Sequence, residues 1–262
     1  RNTVKEVYDF VEEDLINGLE LLDESFFIGT KKFHFNKNAA LAFASRYYLF
    51  KGDFDKCIAF SERLVGGNLA LFIRDNNSVY NVPGGLNALE VAYGNPNLKA
   101  NLLLAENFSW YQRKYNGFAL NRGEINTFFI GPLNSSSYYD SRIQKGGVWS
   151  YSNAGATIPR LREYFYKPTI TSDSGLGYVL SILFTGEEVV LNLAESYWIK
   201  NDDDKALEIL NAFAKQRYYG QTFDFELLKS YYKKNNNHDA LLEAILHERN
   251  KEFFMYGLRW FD

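Results

Sequence analysis

Residues 248–262 read Glu248–Arg249–Asn250–Lys251–Glu252–Phe253–Phe254–Met255–Tyr256–Gly257–Leu258–Arg259–Trp260–Phe261–Asp262. Glu248 and Glu252 lie four positions apart, so on a helix they share one face, with Arg249 beside them. The spacing predicts a helix over 239–256 that Gly257 ends. Acids and arginines interleaved with aromatics read as an ionic network between packed helices. Glu248, Arg249, Glu252 and Arg259 are therefore expected to hold helix packing together.

The next stretch outward, 187–200 (EEVVLNLAESYWIK), has the same character. Val190, Leu193, Ala194 and Tyr197 recur at helical spacing. Glu188 and Glu195 are seven positions apart, which a helix separates by about 10.5 Å along its axis. Glycosidase carboxylates instead flank an open cleft at roughly 5–10 Å. The two acids are better explained as part of the ionic network. A polar turn, 201–204, leads to a second helix, 204–217, with Ala206, Leu207, Leu210 and Phe213 inward.

The same unit occurs nearer the start. A helix over 37–51 presents Ala39, Ala40, Phe43, Tyr47 and Phe50. Lys51–Gly52–Asp53–Phe54 turns the chain, with Gly52 past the helix end. A partner helix, 54–65, carries Phe54, Ile58, Ala59 and Leu64. Cys57 falls on its apolar side. A helix, a glycine turn, an aromatic and a small residue in the second helix describe a tetratricopeptide-type hairpin. Residues 3–22 form a further helix, with Thr3 and Glu6 spaced as a capping box.

The middle is different. Gly66–Gly67, Pro83–Gly84–Gly85, Gly94–Asn95–Pro96, Gly131–Pro132 and Gly146–Gly147 punctuate it. Leu102–Leu104 and Phe128–Ile130 read as small strands. The expected fold is mainly α: tetratricopeptide-like hairpins with a large loop-rich insert containing at most short strands. One domain over 1–262 divides into hairpins (1–66), an aromatic insert (67–180) and a C-terminal helical region (181–262). The chain opens and stops in mid-pattern, so it is expected to be a fragment.

Composition narrows the function classes. Hydrophobic residues are 46% and charged residues 23%, which excludes a disordered or collagen-like chain. No apolar run approaches the about 20 residues of a membrane helix. A net charge of −3 gives no basic field for nucleic acid. No phosphate loop or dinucleotide fingerprint occurs. His247–Glu248 begins like a zinc-protease motif, but position 251 is Lys. Asp202–Asp203–Asp204 lacks the Gly and distal Glu of a calcium loop and reads as a helix cap. No catalytic residue, metal or cofactor is expected, and the chain is expected not to be an enzyme.

The run 248–262 resembles the signature E-R-x-x-E-x-x-x-x-G-x-R-W-F-D of the SusD/RagB family of Bacteroidetes outer-membrane lipoproteins. Glu188–Tyr197 resembles the family's E-x-x-L-x-x-A-E-A helix. Leu210–Asn211 with Arg217 resembles its L-N-x-x-R-x-R segment, and Lys51–Phe54 its K-G-D-[WFY] turn. Thr185 and Tyr256 depart from it, standing where arginine and glutamate are usual. The resemblance implies an outward-facing lipid-anchored protein of the outer membrane, its anchor outside this sequence. It implies capture of a nutrient, usually an oligosaccharide, and delivery to a SusC-like TonB-dependent transporter.

The candidate ligand-binding residues are the aromatics of the insert: Trp110, Tyr111, Tyr138, Tyr139, Trp149 and Tyr151. An aromatic face stacks on the C–H face of a sugar, while Asn107, Asn134 and Asn153 could bind hydroxyls. Trp198 and Trp260 read as packing residues. Two other readings compete. A tetratricopeptide-type scaffold that binds peptide or protein without a nutrient role would show a smooth helical groove. A helical glycoside hydrolase would need a carboxylate pair across a cleft.

Overall fold

The computed structural model describes residues 2–29, 31–76, 79, 83, 91–108, 123, 127–134, 140–144, 149–150, 156–157, 162–166, 176–254, 256 and 258. Helix α1 spans Val4–Leu21 and opens with both halves of the capping box. Glu6 N–H donates to the Thr3 hydroxyl, and Thr3 N–H donates to Glu6 Oε2 at 2.6 Å. Leu15 and Leu19 are buried, while Val4 and Val7 at the helix start are exposed. The expected apolar stripe therefore exists, and only its C-terminal half is covered.

Helix α2 (Lys37–Lys51) is capped by Asn36, whose side chain also donates to the carbonyl of Leu102 at 3.0 Å. It is buried on nearly every side, from Ala39 to Ala42 and again from Tyr47 to Leu49. Its small residues let neighbours approach from several directions. Gly52 follows at φ 80°, a left-handed conformation that glycine adopts without a Cβ penalty, and its N–H returns to Leu49 and Tyr48. Asp53 then caps α3 (Phe54–Val65). Cys57 and Ser61 form the buried small-residue face of α3, and Ala59 points outward, contrary to the sequence expectation.

The second hairpin pairs α4 (Gly186–Ile199) with α5 (Asp203–Arg217), and α6 (Phe225–Tyr232) and α7 (Asn237–Glu252) follow. Thr185, Asp202, Asp224 and Asn236 cap them. Helix α4 is central and packs on α2, α3, α5 and α7. Its run from Gly186 to Ala194 is buried throughout. A Cβ on Gly186 would stand 2.1 Å from the carbonyl oxygen of Phe72, so the helix can start there only with glycine.

The insert contributes an antiparallel sheet in the order β1–β5–β4, with β1 at Asn101–Phe108, β4 at Arg162–Tyr166 and β5 at Leu176–Thr185. A separate ribbon pairs β2 (Trp149–Ser150) with β3 (Ala156–Thr157). Leu104, Leu180 and Ile182 join Val79 and Tyr93 in a small core, while Leu102, Leu103 and Phe184 enter the main helical core. Leu102–Leu104 is thus a strand, as the sequence suggested. Phe128–Ile130 is not: residues 127–129 form a helical turn whose two phenylalanines pack against Phe254. A run of three bulky apolar residues does not distinguish a strand from a buried helical turn. The architecture remains mainly helical. The 8-residue β1 and 10-residue β5 give the insert a firmer footing than its short apolar pieces indicated.

Candidate functional site

β5 runs directly into α4 at Thr185–Gly186, and Gly186 N–H donates to the carbonyl of Ala100 at 2.8 Å. The sheet carrying the insert is therefore continuous with the central helix. Of the aromatic candidates, Trp149 opens β2, its backbone paired with Thr157. Trp110, Tyr111, Tyr138, Tyr139 and Tyr151 lie outside the described residues, as do Asn153, Arg259 and Trp260. Asn107 is exposed on β1. Asn134 is half-buried and donates to the carbonyl of Phe129 at 3.2 Å, which braces its own turn. Trp198 packs as expected, stacked on His238 at 4.3 Å and donating to its carbonyl.

The acids of the C-terminal signature meet their partners in the interior. Arg217, on α5, closes a bidentate pair with Glu252, with Nε and Nη2 at 3.0 and 2.9 Å from the two carboxylate oxygens. The same guanidinium reaches Glu187 at 3.2 Å. Glu187 also accepts from the Arg74 backbone N–H at 2.8 Å and from Arg74 Nη1 at 2.9 Å. Arg142, from the insert, contacts Asp140, Glu248 and Glu252. Lys251 pairs with Glu248 at 2.6 Å and also donates to the Tyr218 hydroxyl. Arg249 pairs with Glu195 and donates to Asn192, which in turn donates to Ser45.

Among the described residues, five cations (Arg74, Arg142, Arg217, Arg249, Lys251) thus face five carboxylates (Asp140, Glu187, Glu195, Glu248, Glu252). The balance matters because an unpaired charge in this interior would cost several kcal/mol (about 3–5). Burial alone would raise the Glu248 carboxyl, yet Lys251 and Arg142 hold it down to about 2. Burial and the carboxylates of Glu248 and Asp140 push the Tyr218 hydroxyl well above its ordinary value, so it stays protonated and donates to Glu248 at 2.6 Å. Burial lowers the Lys251 ammonium, opposed by Glu248. Gly131 makes room for this lysine, since a Cβ there would lie 2.9 Å from Nζ.

The signature acids foreseen as network members are in it: Glu248 and Glu252 with Arg249, and Glu195 on α4. Glu188 pairs instead with Arg46 of α2, nearer the surface. Glu187, Arg74, Asp140 and Arg142 were not legible as members. Apart from the Asp140–Arg142 pair, two residues apart, their charged partners lie 30 to 113 positions away, and local spacing carries no signal over that distance.

Beside Arg46 and Glu188 a cavity of about 350 Å³ opens between α2, β5 and the side chains of Phe253, Tyr256 and Leu258. Ser181 and Thr185 also line it. The Arg46 guanidinium lies over the Phe184 ring at 4.3 Å, which fixes it in the wall. Among the described residues no group of three or more His, Cys, Asp or Glu could hold a metal ion. No described helix is long and apolar enough to cross a membrane.

Two family models match the chain. One, described as "Starch-binding associating with outer membrane", covers residues 1–49, and the SusD family model covers residues 134–262. Among solved structures, a Bacteroides vulgatus protein is 22% identical at a TM-score of 0.64, over 97% of this chain and 52% of its own. A SusD-like carbohydrate binding protein of the same organism is 19% identical at 0.58, over 100% of this chain and 51% of its own. A SusD superfamily protein of Bacteroides thetaiotaomicron is 14% identical at 0.64, over 100% of this chain and 58% of its own. This chain therefore spans a little over half the length of these structures. A comparison with the curated proteins finds no match. The chain belongs to the SusD/RagB family.

Proposed function

We propose that this SusD-family chain binds carbohydrate at the outer-membrane surface without transforming it, and delivers an oligosaccharide to a SusC-like TonB-dependent transporter. The observation that carries the non-catalytic reading is the state of the carboxylates. Glu187, Glu248 and Glu252 are buried and neutralised by arginine and lysine, so none can exchange protons with a glycosidic oxygen. Glu188 and Glu195 each have their own arginine and do not face each other across a cleft.

The ligand contacts are assigned to the insert segment 107–153, centred on Trp110 and Trp149 with Tyr111, Tyr138, Tyr139 and Tyr151. Support comes from sequence chemistry: aromatic rings beside amides suit stacking on sugar rings and hydrogen bonds to hydroxyls. The footing is rigid, because β1 and β5 bracket the insert and Arg142 anchors it to α7. Loops on a rigid scaffold are where binding residues concentrate. A glycan array probed with the full-length protein tests the reading. Retention of one polysaccharide class supports it; retention of peptides alone would favour the scaffold reading.

A further inference from the structure

A break in the β1–β5 ladder makes one wall of the cavity beside Arg46. The register slips between Asn101 and Leu103 and again between Leu103 and Leu104. Ile182 and Phe184 therefore pair with adjacent residues of β1, and Leu183 between them has no partner in the ladder. A bulge of this kind bends a strand and re-aims its groups. Here the carbonyl of Leu183 accepts from Arg46 Nη2 at 3.2 Å. The same guanidinium donates to both oxygens of Glu188, through Nε and, at 2.6 Å, through Nη2. It also lies over the Phe184 ring. Arg46 and Glu188 are thus pinned in the wall, their side chains 24% and 5% exposed.

The pinned lining keeps hydrogen-bonding capacity in reserve. Arg46 Nη1 has no hydrogen bond among the described residues. Each Glu188 oxygen accepts one bond from Arg46 and has a further lone pair. The Thr185 hydroxyl accepts from the Glu188 N–H at 3.2 Å, so its proton remains to be donated although the residue is buried. Ser181 is half-buried, and its hydroxyl has no hydrogen bond among the described residues. Phe253 and Tyr256 add aromatic surface to the lining.

These groups select the ligand by its chemistry. An anion would meet the Glu188 carboxylate, and a cation would meet the Arg46 guanidinium. A wholly apolar group would leave the Thr185 proton and the Glu188 lone pairs dry and unpaired, which is costly. A neutral sugar ring offers hydroxyls that both donate and accept, and a C–H face that suits an aromatic ring. The cavity, about 350 Å³, stands at the lower end of the roughly 300–1,000 Å³ of small-molecule sites, which suits the end of a glycan more than a long run of it. We propose that this cavity is a further carbohydrate subsite, separate from the aromatic insert, that takes a neutral terminal sugar. Arg46, Ser181 and Thr185 donate to it and Glu188 accepts from it. The proposal rests on the carbohydrate reading above and adds a second place of contact.

The test begins with the full-length protein on the glycan array. An oligosaccharide of the retained class is then titrated calorimetrically into the wild type, Ser181→Ala and Ser181→Phe. Ser181→Ala removes one hydrogen bond and should weaken binding about threefold to tenfold. Ser181→Phe fills the cavity and should weaken it at least as much. Circular dichroism checks folding, and Ser181→Ala, which adds no volume, carries the test alone if the larger residue disturbs the sheet. In NMR spectra of the wild type, the backbone amides of residues 181–185 should shift on addition of the methyl glycoside of the terminal sugar. If a glycan is retained but Ser181→Ala binds it unchanged, or those amides do not move, the subsite is overturned and the carbohydrate reading stands. If no glycan is retained, the carbohydrate reading falls and the subsite falls with it.

Discussion

Arg142 Nη2 donates to Glu248 Oε2 at 2.7 Å across 106 positions of sequence, joining the insert to the last helix. The same guanidinium takes both oxygens of Asp140, two residues away, through Nε at 2.8 Å and Nη2 at 2.5 Å. One side chain thus fixes the local turn and its attachment to α7. The insert is held to the helical scaffold at a charged point as well as through the β1–β5 sheet.

Replacing Arg142 by Met should cost about 3–5 kcal/mol, because it leaves Asp140 and part of Glu248 buried without their cation. Urea unfolding of the variant measures this. A loss below about 1 kcal/mol, the range of exposed pairs, would show that the network is dispensable.

Gly186→Ala should destabilise by about 1–3 kcal/mol or more, since the new methyl overlaps the Phe72 carbonyl and the buried helix cannot move aside. Thermal unfolding checks it. The Gly29→Ala change, at an exposed glycine with open space around it, is the comparison: its only cost is the strained φ of 75°.

Acid should weaken the fold in two stages. Burial, with Lys251 and Arg142 nearby, pushes the His247 imidazole down to about 4, and its Nδ1 lies 2.9 Å from the Tyr232 hydroxyl. The unfolded chain takes up this proton near the ordinary value of 6.5, so it binds more protons than the native state between the two values. Stability should therefore fall as pH drops from about 6.5 to about 4. The contribution of Glu248, complete above its ordinary 4.5, is lost as pH falls further through about 2. Urea midpoints across this range should lose their upper slope in His247→Gln and keep the lower one.

Trp149→Ala should weaken carbohydrate binding by roughly tenfold, as expected for loss of one stacked ring worth about 0.5–3 kcal/mol. Its melting temperature should change little. Titration with the polysaccharide class found on the array measures the first. Unaltered affinity would move the site away from β2.

Much of the scaffold could be read locally. The Thr3–Glu6 box and the Gly52 turn are decided within a few residues, and they stand where the sequence puts them. Glu248 and Glu252 share a face because a helix repeats every 3.6 residues. Tertiary structure alone decided which cations answer them. It chose Arg217 for Glu252 and Arg142 for Glu248, and it buried Glu187 more deeply than its neighbour Glu188. It also covered Leu15 and Leu19 while leaving Val4, Val7 and Phe10 of the same helix open. Periodicity tells which side chains share a face. Whether that face meets a neighbour depends on how distant elements pack, and one helix's sequence does not hold that information.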